Sequence, residues 1–201
     1  MIHFKSIAIF ALSFCLMGAD SLSGFHWLKV GEKEASAIQW NEQYMVTAQH
    51  VDFLGTPGVE CPSGCDLQFV RSRQDLNTRW REAVEFEPVR VVGVAAGQGL
   101  VERVGRVLPG RRSIVPGGPT YQMVEARISK GMSGGPIYGA DGAVLGMVVA
   151  FIDPAELAKH AVLKDLSGLG LFLSTADIER EWLTSGLNDE PEGPCLDGDC
   201  D

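Results

Sequence analysis

Ser133 sits among three glycines in the segment Gly131-Met132-Ser133-Gly134-Gly135-Pro136. A serine hydroxyl is a weak nucleophile at neutral pH. Acyl transfer through it needs a base to take its proton, an acid to orient that base, and backbone N–H groups to receive the developing oxyanion. The chain offers one candidate for each part, in the order His50, Asp66, Ser133. His50 ends the run Met45-Val46-Thr47-Ala48-Gln49-His50, where a strand leaves the core and turns. Asp66 opens Asp66-Leu67-Gln68-Phe69-Val70, at the entrance to an apolar strand. Gly131, Gly134 and Gly135 permit a tight turn whose N–H groups converge on one side and keep side chains off a substrate carbonyl.

These residues need rigid elements to hold them. From Phe25 onward, short apolar runs alternate with turn signals, the pattern of an all-β sandwich or barrel. Ala35 to Trp40 and Tyr44 to Ala48 read as a hairpin across Asn41-Glu42-Gln43. Leu67 to Val70, Val89 to Val94, Val101 to Val107 and Tyr121 to Ile128 are further strands. Ile137-Tyr138 and Ala143 to Phe151 form a second hairpin across Gly139-Ala140-Asp141-Gly142, an Asp-Gly turn. Leu169 to Leu173 is the last strand. Ser174-Thr175-Ala176-Asp177 then offers a helix start, with Ile178, Trp182 and Leu183 on one face and an end near Gly186. Pro154 to Leu163 is an apolar stretch that suits a helical loop. A break near Glu82 to Pro88 divides the strands into two halves.

In order and context, Val46-Thr47-Ala48-Gln49-His50-Val51, Asp66-Leu67 and Gly131 to Pro136 resemble the three signatures of the chymotrypsin/trypsin-like serine peptidase family. The likeness is strongest to its bacterial, HtrA-like, short-loop members, and no PDZ-like segment follows the last helix. It extends to Glu87 to Gly93, Gly142 to Ala150 and Gly168 to Ser174, covering roughly residues 25 to 186. The resemblance implies an all-β fold of two six-stranded antiparallel β-barrels with a C-terminal helix and the site in the groove between them. It implies a first barrel over 25–88 and a second barrel with its closing helix over 89–186. By the same resemblance Ser133 is the nucleophile, His50 the base and then acid, and Asp66 the orienting carboxylate. The N–H groups of Gly131 and Ser133 form the oxyanion hole. Val149, Ala150, Phe151 and Leu169 belong to the walls of the primary substrate pocket, which their apolar character fits to uncharged side chains.

Three features depart from the family pattern. Met132 replaces the acid that trypsin carries before its serine, and no Ile-Val-Gly-Gly start occurs, so the two absences agree and imply no trypsin-type zymogen switch. Gln49 stands where a second alanine is usual. The 16-residue step from His50 to Asp66 is short and contains Cys61-Pro62-Ser63-Gly64-Cys65; Asp52 and Asp75 are the fallback acids. Gly131 to Gly135 also fits the Gly-x-Ser-x-Gly elbow of α/β-hydrolases, with Asp141, Asp153 and His160 downstream. That elbow needs a helix directly after the serine, and Gly-Gly-Pro starts one poorly. A trypsin-like fold that binds a partner without catalysis is the remaining alternative. His3, His26 and His160 read as surface or core histidines, and Trp27, Trp40 and Trp80 as core or barrel plugs.

Composition bounds the partners. The net charge of −9 argues against nucleic acid, whose recognition rests on clustered Lys and Arg. Asp189 to Asp201 holds six acids and no base, so the rest of the chain carries only −3, and 187–201 reads as an acidic tail. The family resemblance implies a protein or peptide substrate, with no metal and no organic cofactor. Residues 1–19 read as a signal peptide: Lys5, an apolar run from Ile7 to Met17, then Gly18-Ala19. The run is too short for a stable membrane span. Phe14 is too bulky before Cys15 for a lipidated cysteine, so the chain reads as periplasmic or secreted. Four cysteines then remain as two local pairs, Cys61/Cys65 and Cys195/Cys200. An even count suits disulfides in an oxidising compartment, with three connectivities open.

Overall fold

Alternating apolar runs and turn residues fold into two antiparallel sheets. The computed structural model describes residues 22–51, 58–74, 78–113, 116–151 and 169–189. In chain order the strands of the first sheet are β1 (Phe25–Val30), β2 (Lys33–Gln39), β3 (Tyr44–Thr47), β4 (Val59–Glu60) and β5 (Gln68–Arg71). They lie side by side in the order β1-β2-β3-β5-β4. Asn41 makes the β2–β3 turn: its Oδ1 accepts from the Gln43 and Tyr44 amides, both at 2.9 Å. This side-chain bond to the following backbone is why Asn favours such turns.

The second sheet closes on itself as a six-stranded barrel. Its strands are β6 (Pro88–Ala95), β7 (Gly99–Ser113), β8 (Thr120–Glu125), β9 (Pro136–Gly139), β10 (Val144–Phe151) and β11 (Leu169–Ser174), in the order β10-β11-β8-β7-β6-β9 with β9 returning to β10. The Asp-Gly turn is as expected, with the Gly142 amide donating to the Gly139 carbonyl at 3.0 Å. Strand β7 runs past Val107, where sequence alone stops it at Leu108-Pro109-Gly110. The ladder shifts register between Leu108 and Arg111, and Gly110 takes a left-handed φ of 81°. A bulge absorbs the Pro-Gly pair and lets the strand continue.

The two-sheet architecture with a C-terminal helix is as the resemblance implies: the second sheet has six strands and the first has five among the described residues, with residues 52–57 and 75–77 outside them. Trp27 is no plug, being 46% exposed, while Trp40 and Trp80 pack edge to face at 4.9 Å as expected. Strand β1 was not separately legible as a strand in the sequence.

The segment joining the sheets is tied to the second one. The Arg81 amide donates to the Val144 carbonyl, and the Val144 amide donates to the Arg79 carbonyl. The Arg81 guanidinium bridges Glu87 at 2.8 Å and Asp141 at 3.0 Å.

Helix α1 (Thr175–Thr184) starts where its residues ask it to. The Ser174 side chain accepts from the Asp177 amide and Asp177 accepts from the Ser174 amide, so two N–H groups left open by the helix start are satisfied reciprocally. Ile178 and Trp182 face the core as expected, but Leu183 is 65% exposed and Glu181 is buried in its place. Residues three and four after Ile178 share its face, whereas the fifth has turned away. Among the described residues no helix is long and apolar enough to cross a membrane. Residues 1–19, Asp153, Pro154 to Leu163, His160, Cys195 and Cys200 lie outside the described residues.

Buried Asp177 also receives Arg111 at 2.8 Å and Arg180 at 3.0 Å. Burial alone raises its carboxyl, but the bonds from Arg111 and Ser174 outweigh that and hold it below the ordinary 3.8. A depressed folded value means the stabilisation is complete above pH 3.8 and is lost as the pH falls through the folded value. Asp177→Ala should therefore cost about 2 kcal/mol at neutral pH. In urea titrations at several pH values, the gap between wild type and variant should narrow on acidification below pH 4.

Candidate active site

Strand β3 ends at Thr47, and a turn follows in which the Val51 amide donates to the Ala48 carbonyl at 3.0 Å. The buried Gln68 side chain on β5 fastens this turn, its Nε2 donating to the Ala48 and Val51 carbonyls at 3.3 and 3.1 Å. His50 is thereby presented beside Asp66. Its backbone amide donates to Asp66 Oδ1 at 3.0 Å, and its ring Nδ1 lies 2.6 Å from Asp66 Oδ2. A carboxylate without a proton can only accept, so Nδ1 carries the hydrogen and the lone pair falls on Nε2. That is the tautomer a general base needs.

Asp66 ends a short closed loop. Cys61 and Cys65 form a disulfide with Cα atoms 5.5 Å apart, and the Gly64 amide donates to the Cys61 carbonyl at 2.9 Å. The Cys61 amide in turn donates to the Leu67 carbonyl at 3.0 Å, tying the loop to the residue that precedes β5. One of the three connectivities open in the sequence is thus realised for this pair. Cys61, Cys65 and Glu181 lie close together, but sulfurs bonded to each other offer no thiolate to a metal.

The serine turn is built by close packing. Met132 is fully buried in the barrel core, so the position where trypsin carries an acid is here an apolar anchor. The Met132 amide donates to the Ser129 carbonyl, the Gly135 amide to the Met132 carbonyl, and the Gly134 amide to Val148 of β10 at 2.8 Å. Among the described residues the Gly131 and Ser133 amides donate to no protein acceptor. Gly134 has a left-handed φ of 82°, and a Cβ there would drive into the Ser36 carbonyl oxygen. The turn therefore docks across the two sheets. Ser36, buried on β2, has its carbonyl accepting from Thr47 Oγ1 at 2.7 Å and its Oγ accepting from the Val94 amide at 2.9 Å. Ser133 Oγ donates to the Val149 carbonyl at 3.3 Å.

His50, Asp66 and Ser133 open on one cleft of about 450 Å³ between the sheets. The first sheet and its loops contribute Glu34, Ala35, His50, Val51 and Asp66; the second contributes Ala96, Lys130, Gly131, Ser133, Val149 and Ala150. Of the expected pocket walls, Val149 and Ala150 line this cleft. Leu169 is buried at the start of β11 and packs in the core, and the Phe151 side chain lies outside the described residues. The fallback acids Asp52 and Asp75 also lie outside them. Strand β9, not a helix, follows Ser133, which removes the α/β-hydrolase elbow. Asp141 is held in its turn by Arg79 and Arg81. His26 is a part-buried histidine bonded to Gln39 at 2.7 Å, and burial lowers its pKa.

A serine-to-alanine mutant of Rv3671c from M. tuberculosis H37Rv, in its inactive form, superposes with a TM-score of 0.62 at 17% identity, over 87% of this chain and 90% of that one. The active form of the Rv3671c protease from M. tuberculosis gives 0.59 at 19% identity, over 80% and 76%. The HtrA-type protease AlgW with a decapeptide gives 0.58 at 18% identity, over 74% and 50%. The chain has the chymotrypsin/trypsin-like fold. No protein-family model and no curated protein sequence matches it.

Sequence reasoning missed Ser36, Thr47 and Gln68, buried polar residues on strands whose partners lie far along the chain. Their signal was a polar residue at a core position, and such residues are buried only with hydrogen-bond partners. Ser36→Ala should strip the Val94 amide of its acceptor and cost about 1–3 kcal/mol. Urea denaturation of the variant measures this.

Proposed function

We propose that this trypsin-like fold is a serine endopeptidase that cleaves peptide bonds through an acyl-enzyme. The observation that carries the reading is the grip of Asp66 on both the backbone and Nδ1 of His50, in the same cleft as Ser133. His50 Nε2 takes the proton from Ser133 Oγ as that oxygen attacks the substrate carbonyl. To do so the hydroxyl exchanges its Val149 acceptor for the imidazole. The Gly131 and Ser133 amides receive the oxyanion, and His50 then returns the proton to the leaving amine. Water attacks the acyl-enzyme with His50 again as base. Likeness to the Rv3671c protease and to AlgW supports a protein or peptide substrate.

The chain would act after export. The apolar segment over residues 1–19 and the Cys61–Cys65 disulfide both support a periplasmic or secreted location in an oxidising compartment. The units 25–88 and 89–186 would meet at the cleft, with 187–201 as an acidic extension.

A fluorophosphonate probe should label the folded protein, and Ser133→Ala should abolish labelling and lower kcat by roughly 10⁴–10⁶. Absence of labelling in the wild type would instead identify a trypsin-like binding protein. Val149 and Ala150 give the cleft an apolar wall. A peptide library should therefore show cleavage after uncharged apolar side chains, and a profile dominated by Arg or Lys would refute that.

A further inference from the structure

The loop that carries Asp66 belongs to the first sheet, yet two of its backbone amides are held from the second half of the chain. The Asp66 amide donates to Tyr121 Oη at 3.3 Å, and the Ser63 amide donates to Glu181 Oε2 at 3.1 Å. Tyr121 is a buried residue of β8, and Glu181 is a buried carboxylate on α1. The disulfide between Cys61 and Cys65 closes the loop that holds Ser63 and leads directly into Asp66, so both pinned amides lie on one short, cross-linked segment. Both oxygens of the Asp66 carboxylate are used by His50. The direction of that carboxylate is set by the backbone that Tyr121 holds.

We infer that Tyr121 and Glu181 are positioning residues that fix Asp66, and through it His50, from across the two sheets. The inference rests on the peptidase reading for its kinetic consequence but not for its geometry. Burial raises the Tyr121 hydroxyl's pKa, and its oxygen accepts from the Asp66 amide. Glu181 is held on its other side by Arg180, whose Nε lies 3.4 Å from Oε1. Neither residue lines the cleft, so substrate contact is not their contribution.

The test compares the full chain with Tyr121→Phe, Glu181→Gln and Glu181→Leu. Phenylalanine keeps the ring and removes only the acceptor; glutamine keeps an acceptor oxygen, and leucine does not. Tyr121→Phe and Glu181→Leu should each lower kcat roughly ten- to a hundredfold with KM nearly unchanged, since misplacement of a catalytic group by about 1 Å costs on that order. Glu181→Gln should restore turnover close to wild type. The proton on His50 Nδ1, followed by NMR, should shift and exchange faster in Tyr121→Phe and Glu181→Leu and stay in place in Glu181→Gln. Unchanged kcat with an unchanged His50 proton in Tyr121→Phe, which is expected to fold, overturns the inference. So does a rise in KM alone, which would move these residues to substrate binding. If the wild type takes no fluorophosphonate label, the peptidase reading fails, and the His50 proton in the same variants still decides whether Tyr121 and Glu181 hold the loop.

Discussion

Ser36 joins parts of the molecule that have no sequence proximity. Its hydroxyl accepts from Val94 on the barrel, its carbonyl accepts from Thr47 on the neighbouring strand, and Gly134 of the serine turn packs onto that same carbonyl. All of this is buried, where an unmade hydrogen bond costs more than a made one contributes. The contact therefore favours the seating of the two sheets that makes these bonds. Because Thr47 ends the strand that leads to His50 and Gly134 follows Ser133, fixing this contact fixes the distance across the cleft. The cleft is lined from both sheets for the same reason.

Around that contact the halves are coupled a second time through the loop that carries Asp66. The 15 residues between His50 and Asp66 leave little chain for a self-supporting structure. The loop is closed by a disulfide and braced by Tyr121 and Glu181 instead. Helix α1 supplies one brace and also packs Trp182 against Tyr44 and Phe69 of the first sheet. The closing helix thus belongs by sequence to the second half and by contact to both. Its start is held by the Ser174–Asp177 box, which Arg111 at the far end of β7 reinforces. The β7 bulge, beyond the Val107 at which sequence reading ended the strand, is what carries Arg111 there.

The strands of the barrel were readable because alternating apolar residues and the Asp-Gly turn are local signals. Boundaries slipped where a local signal met a tertiary one. Leu108-Pro109-Gly110 has the composition of a turn and became a bulge, because β8 offered pairing on both sides of it. Leu183 looked like a core residue, but the core holds Glu181 instead. The core took the carboxylate because a backbone amide of the disulfide loop and Arg180 were there to bond it.

By itself the sequence determined the kinds of group present and their order: His50, Asp66, and Ser133 among glycines, on a strand-rich chain with paired cysteines. Residue type and local spacing carry that information. Only the tertiary structure decided that Asp66 grips His50 at 2.6 Å, that Met132 is an anchor in the core, and that Ser36, Gln68, Tyr121 and Glu181 hold the parts in place. Those decisions rest on hydrogen bonds between residues up to 118 positions apart. Such bonds are chosen by which buried polar groups the closed sheets bring face to face, a property of the packed chain that no local pattern encodes.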